Sequence, residues 1–174
     1  MKGTIEIQQK GITNLDVDVV VNAANSRLQE GGGVCGAIFS EAGSYELTKA
    51  CSEIGGCPTG SAVITPGFNL KAKYIIHAVG PIWRGGNNNE EELLYSAYAK
   101  SLKLAKEHGC SSIGFPVISS GIYGYPKDEA WEVAIRACMD FIKDNPDQTM
   151  RIIFAVLSDT SREMGESVLK KLDL

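Results

Sequence analysis

Twice in this chain a run of apolar, largely β-branched residues breaks into a glycine-rich loop and then into a helical pattern. Val17–Val21 reads Val-Asp-Val-Val-Val and passes through Asn22-Ala23-Ala24-Asn25 to the loop Gly31–Gly36. Ile113–Ile118 passes directly to the loop Ser119–Gly124. Near-continuous apolar runs suit strands buried on both faces of a sheet. Strand, glycine loop and helix, in that order, place each loop at the carboxyl end of a covered strand. In open α/β sheets that is where ligands bind.

The remaining pattern agrees. Thr4–Gln8, Ser61–Thr65, Tyr74–Val79 and Arg151–Leu157 read as further strands. Val34–Ala42, Tyr45–Ile54, a segment beginning at Glu90, Lys127–Lys143 and a final segment carrying Met164, Val168, Leu169 and Leu172 have helical spacing. Asn89 is placed to cap the third helix, with Glu90, Glu91 and Glu92 in its first turn and Gly109 at its end. Thr160-x-x-Glu163 has the form of a capping box for the last helix. Alternating strands and helices predict a three-layer α/β/α sandwich, one domain over residues 1–174.

Composition narrows the partners. The net charge is −4 with no basic block, which argues against electrostatic binding to DNA. Five cysteines without a CxxC pair read as free thiols of a reducing cytoplasm. No apolar run approaches a membrane span, and Met1–Lys10 lacks a signal-like core.

Glycine, with 19 residues, clusters around the loops. There it leaves backbone N–H groups free to meet phosphate oxygens, helped by the positive end of the following helix. Neither GxGxxG nor GxxxxGK[ST] is present. The two loops together point to a phosphate-bearing, nucleotide-like ligand gripped without lysine.

Asn22-Ala23-Ala24-Asn25, Gly31-Gly32-Gly33-Val34-Cys35-Gly36-Ala37-Ile38 and Ser119-Ser120-Gly121-Ile122-Tyr123-Gly124-Tyr125-Pro126 resemble a macrodomain. Gly56-Cys57-Pro58-Thr59-Gly60 and Ile76-His77-Ala78-Val79-Gly80-Pro81 are similar to the subgroup that hydrolyses O-acetyl-ADP-ribose and mono-ADP-ribosylated proteins. The resemblance runs from about Ile5 to Leu172. It implies a mixed central sheet and a cleft for ADP-ribose, with no cofactor and no metal. It also implies site residues. Asn25 would hydrogen-bond the distal ribose. The amides of Gly32, Gly33, Val34, Cys35 and Gly36 would meet a phosphate and that ribose. Those of Ser119, Ser120, Gly121, Ile122, Tyr123 and Gly124 would meet the pyrophosphate, with Tyr123 walling the distal ribose. Ala23 would line the ligand, and Ile12 would lie near adenine.

Three positions depart from the family pattern. Gly11, in Lys10-Gly11-Ile12-Thr13, stands where relatives place the aspartate that binds the adenine amino group. Ser158 stands where many place an aromatic residue against the adenosine. Cys35 stands where the hydrolytic subgroup commonly has an aspartate that helps to position or activate water. A thiol is a poor acceptor with an ordinary pKa near 8.5. Three readings of Cys35 stay open. It is a small neutral residue beside a water held by Asn25 and the substrate phosphate; it marks a non-catalytic reader of ADP-ribose; or it is an activated nucleophile.

Other chemistry-bearing residues read as structural. His77, between Ile76 and Ala78, reads as a satisfied core histidine, and His108 as a helix-end residue. Asp16 and Asp18 read as solvated charges, and Glu41 and Glu46 as an exposed helix face. Cys51, Cys57, Cys110 and Cys138 have no metal-ligand spacing. Trp83 and Arg84 lie where they either rim the cleft or form a surface loop. The leading expectation is an enzyme removing acetyl groups or ADP-ribose from ADP-ribose conjugates, with Asn25 and Cys35 as the candidate catalytic positions. The alternative is a reader that binds ADP-ribose without cleaving it.

Overall fold

The computed structural model describes residues 2–173. Its strands are β1 (Gly3–Gln9), β2 (Val19–Ala23), β3 (Ala62–Pro66), β4 (Tyr74–Ala78), β5 (Ser112–Phe115) and β6 (Met150–Val156). Its helices are α1 (Gly33–Ala42), α2 (Ser44–Ile54), α3 (Glu90–Glu107), α4 (Lys127–Asp144) and α5 (Asp159–Leu172), with a short 3-10 turn at Ile12–Asn14. The strands form one sheet in the order β1-β6-β5-β2-β4-β3. Only the β3–β4 pair is antiparallel.

Strand alternation divides the core. Val20, Ile75 and Ile153 face Ile38, Phe39 and Leu47 of α1 and α2. Val19, Val21, Ile76, Ile152 and Phe154 face the other side, where Leu94, Tyr98, Trp131 and Val168 of α3, α4 and α5 cover them. The result is the expected α/β/α sandwich, two helices on one face and three on the other.

The sheet is split at its centre. β2 pairs with β4 over five residues but with β5 over only two, Val19↔Ile113 and Val20↔Gly114. From β2 the chain goes outward to β3 and β4. It then returns through α3 to β5 and proceeds the other way to β6. A reversal of strand order of this kind opens a crevice at the carboxyl ends. Both glycine loops leave the sheet there, one after β2 and one after β5.

The bounds of β2 and β5 depart from expectation. β2 starts at Val19 because Asp18 is spent on a turn: Ser111 N donates to Asp18 Oδ2 at 2.8 Å, and Asp18 N donates to Ser112 Oγ at 2.8 Å. Those Ser111 bonds hold the Asp18 carboxyl below its usual range despite partial burial, so this residue is structural. β2 also runs through Asn22 and Ala23, which stay paired to His77 and Ala78. β5 stops at Phe115 instead of Ile118. Beyond it the buried Tyr98 hydroxyl takes over, donating to Pro116 O at 3.2 Å and accepting from Ile118 N at 2.8 Å.

The caps differ too. Asn89 precedes α3 in the left-handed region (φ 61) and makes no side-chain cap. The N-cap of α5 is Ser158, whose Oγ accepts from Ser161 N at 3.1 Å, so Thr160 lies inside the helix. Among the described residues no helix is long and apolar enough to cross a membrane.

Candidate functional site

The first glycine loop begins in a turn locked by Asn25. Its Nδ2 donates to Gln29 O at 2.9 Å, its Oδ1 accepts from Gln29 N at 3.0 Å, and its carbonyl accepts from Leu28 N. A primary amide has two N–H donors and two acceptor lone pairs. One of each remains on Asn25, on a side chain whose rotamer the turn has fixed. Gly31, Gly32 and Gly33 are exposed, and α1 begins at Gly33. The amides of Gly33, Val34 and Cys35 form its first turn, where N–H groups have no intrahelical acceptor. Gly36 is the first to bond back, to Gly32 O. A Cβ on Gly36 would lie 2.7 Å from Gly31 O, so the loop can fold onto its helix only with glycine there.

Cys35 points inward. It is buried, with Sγ 3.7 Å from Gln29 O and 3.6 Å from Asn22 Nδ2. Asn22 Nδ2 in turn lies 3.1 Å from His77 Nδ1, and His77 Nε2 lies 3.0 Å from Thr65 Oγ1 and 3.9 Å from Cys51 Sγ. Because the Asn22 amide donates to Nδ1, the ring proton sits on Nε2 and goes to Thr65, whose hydroxyl donates to Pro66 O. His77 is fully buried, which pushes its pKa down to about 4. It is a neutral core histidine, as its place in the strand suggested. Burial raises the Cys51 thiol to about 11, with Cys35 adding to the shift. Asn22 Oδ1 is buried without a partner among the described residues.

The second loop is built differently. Ser119 is a buried non-glycine residue at φ 68, fixed by its Oγ donating to Pro81 O at 2.7 Å. Ser120 Oγ donates to Val117 O. Gly124 N bonds to Gly121 O and Tyr125 N to Ser119 O, both at 3.0 Å. Among the described residues the amides of Gly121, Ile122 and Tyr123 make no backbone hydrogen bond. The Ile122 side chain is wholly exposed. Tyr123 is half-buried, and its carbonyl accepts from Trp83 N at 2.8 Å. The Trp83 ring packs on Tyr125, with centroids 4.7 Å apart. Trp83 is thus joined to this loop and is no free surface residue.

At the far side, Ile12 is buried among Leu15 and Val17, so its side chain belongs to the core. Gly11 has ordinary extended dihedrals (φ −64, ψ 139), and the Asn14 Nδ2 lies 3.2 Å from where its Cβ would be. An amide therefore fills part of the space beside Gly11. Ser158 is occupied as a helix cap. Leu157, expected as the last residue of the strand, instead lies just beyond the paired ends Gln9 and Val156 and is 78% exposed. The sequence offered no signal of that exposure, because an apolar residue at that point extends the strand pattern.

Two cavities flank the loops. One of about 430 Å³ is lined by Arg27, Gln29, Glu30, Thr48 and Ser52, against the Asn25 turn. The other, of about 340 Å³, is lined by Trp83, Glu91, Tyr125, Glu129 and Glu132, behind the second loop. Among the described residues no group of His, Cys, Asp or Glu converges in a metal-binding arrangement.

The family model described as Macro domain matches residues 21–134, which takes in both loops, the end of β2 and the whole of β5. This chain belongs to the macrodomain family. A macro domain-containing protein of Caldanaerobacter subterraneus subsp. tengcongensis is 47% identical over 176 residues, covering 99% of each chain. A protein of Escherichia fergusonii named O-acetyl-ADP-ribose deacetylase is 53% identical over 146 residues, covering 82% of each. Among solved structures, the Oceanobacillus iheyensis macrodomain with ADP superimposes with a TM-score of 0.90 at 40% identity, covering 96% of this chain and 90% of that one. The Trypanosoma brucei macrodomain in complex with ADP-ribose gives 0.86 at 34% identity, over 94% and 68%. The macrodomain described here therefore has relatives that bind ADP-ribose and relatives named as deacetylases.

Proposed function

We propose that this macrodomain binds ADP-ribose through the backbone amides of its two glycine loops and hydrolyses conjugates carried on the distal ribose. The observation that carries the reading is the pair of loops with unpaired amides, standing together at the split between β2 and β5. Backbone N–H groups and the α1 N-terminus suit a pyrophosphate. Asn25, with one donor and one acceptor left over and its rotamer locked, suits the distal ribose and the water that attacks the bond on it. Tyr123 and the exposed Leu157 supply faces for ribose and base, and Asn14 offers an amide where Gly11 has no side chain.

The substrates are O-acetyl-ADP-ribose or proteins carrying mono-ADP-ribose. The reaction is attack by an ordered water, with the substrate's diphosphate assisting and no covalent intermediate. Cys35 is not placed as a nucleophile: its Sγ is buried, and its neighbours are a carbonyl and an amide. The same observation favours a second reading, a reader without turnover, because a thiol there supplies no carboxylate. An assay with O-acetyl-ADP-ribose and a mono-ADP-ribosylated protein separates the two. Release above background establishes the hydrolase. Calorimetric binding of ADP-ribose with no release establishes the reader.

A further inference from the structure

Glu90 is the first residue of α3, a position at which a glutamate ordinarily reaches into water, yet it is 1% exposed. A buried carboxylate is costly unless it is fully hydrogen-bonded. Glu90 turns back on the loop before its helix. Oε2 accepts from Arg84 N at 2.8 Å and Gly86 N at 3.0 Å, and Oε1 accepts from Asn88 N at 2.6 Å. Desolvation favours the neutral acid, but the N–H groups of Arg84, Gly86, Asn88 and Glu90 itself outweigh it and hold the pKa at about 2.

A simple N-cap would satisfy the start of the helix without burying a charge. What this arrangement adds is control of residues 84–88, and through them of the segment that grips the second glycine loop. That segment meets the loop at three points. Pro81 O accepts from Ser119 Oγ, Trp83 N donates to Tyr123 O, and the Trp83 ring lies on Tyr125. The loop's own backbone bonds, from Gly124 N and Tyr125 N, cannot fix its position against the sheet. Tyr98, also on α3, holds the entry to the loop at Pro116 and Ile118.

We propose that Glu90 is a positioning residue for the second glycine loop: its buried carboxylate gathers residues 84–88 so that Trp83 holds Tyr123 and Tyr125 in place from behind. It touches no ligand. The consequence for binding rests on the ADP-ribose reading above; the consequence for the loop does not.

The test compares Glu90→Gln and Glu90→Asp with the unaltered protein. The first keeps size but turns an NH₂ toward backbone donors; the second keeps charge but is too short to reach all three. Amide hydrogen exchange is measured without ligand. Both variants are expected to speed exchange at Trp83, Gly124 and Tyr125, by about tenfold or more in Glu90→Gln and less in Glu90→Asp. Amides of β4 and β6 are expected to keep their protection. Calorimetry with ADP-ribose is expected to show Kd raised about tenfold in Glu90→Gln, following the loss of a preorganised loop. Unchanged exchange at those three amides in a folded variant overturns the proposal. So does a uniform rise across the sheet, which would make Glu90 a general stabiliser. If the unaltered protein binds no ADP-ribose while the local exchange effect persists, the ligand reading fails and the positioning role stands.

Discussion

At the scale of single residues, Cys35 and His77 share one buried polar chain through Asn22, and they make opposite demands on it. Cys35 occupies the first turn of α1 beside the exposed amides of Gly33 and Val34. A carboxylate there would gain the Asn22 amide and act as an acceptor for water. Cys35→Asp is expected to raise the rate of O-acetyl-ADP-ribose hydrolysis roughly 100-fold, the lower end of the range for a positioned base. An unchanged kcat in a folded variant would show that position 35 has no part in the chemistry.

His77 makes its demand through pH. Its folded pKa is lowered from 6.5 to about 4, so the unfolded chain takes up a proton that the native protein refuses. Its contribution is intact above pH 6.5 and is lost as pH falls toward 4. The full loss is about 3 kcal/mol at 1.36 kcal/mol per unit. Urea unfolding from pH 7 to about pH 5, above the titration of most carboxylates, should show stability falling with pH. His77→Gln should flatten that slope. The histidine's role was readable because Ile76 and Ala78 put it mid-strand. Its partners were not, because Thr65, Asn22 and Cys51 converge only once the strands are paired.

At the scale of elements, periodicity located every strand and helix, and the errors fell at their ends. Capping is decided by where the preceding chain arrives, and the local pattern does not carry that information. Thr160-x-x-Glu163 has the right letters, but β6 delivers the chain to Ser158, and the helix starts there. Ser158→Ala is expected to cost about 1 kcal/mol in thermal unfolding, the usual worth of an N-cap, and Thr160→Ala much less. Asn89 failed as a cap for a related reason: the turn before α3 delivers it in the left-handed region (φ 61), not in the extended conformation an N-cap needs to reach the helix amides. The same dependence on neighbours governs Gly80, where a Cβ would fall 2.2 Å from Ser119 Oγ and 2.5 Å from Ile118 Cγ2. Gly80→Ala must push Ser119 off Pro81 O. It is expected to cost about 1–3 kcal/mol of stability, as overpacking does. It is also expected to weaken ADP-ribose binding through the second loop, measured by calorimetry. Affinity unchanged in a destabilised variant would separate that loop from the ligand.

At the scale of the whole molecule, the split between β2 and β5 explains why two loops far apart in sequence stand together at one end of the sheet. The glycine clusters were legible as loops after buried strands. Their adjacency was not, because it depends on strand order, and only the family resemblance supplied that. The same scale sets the electrostatics of binding. The chain carries a net charge of −4, and the proposed grip on the pyrophosphate uses amides and a helix end, with no lysine or arginine in either loop. A dianionic ligand is then repelled weakly at long range and held at short range by dipoles that belong to the backbone. Salt screens the first effect, over a Debye length of about 10 Å at 0.1 M, and barely touches contacts shielded from solvent. Raising NaCl from about 20 mM to about 300 mM is therefore expected to leave the ADP-ribose Kd within about threefold, with association unchanged or slightly faster. Stopped-flow and calorimetry at several salt concentrations give both quantities. A steep loss of affinity with salt would require a charged side chain on the phosphates, with Arg27 beside the Asn25 turn the first to replace by alanine. A flat response would leave the two glycine loops as the source of the grip.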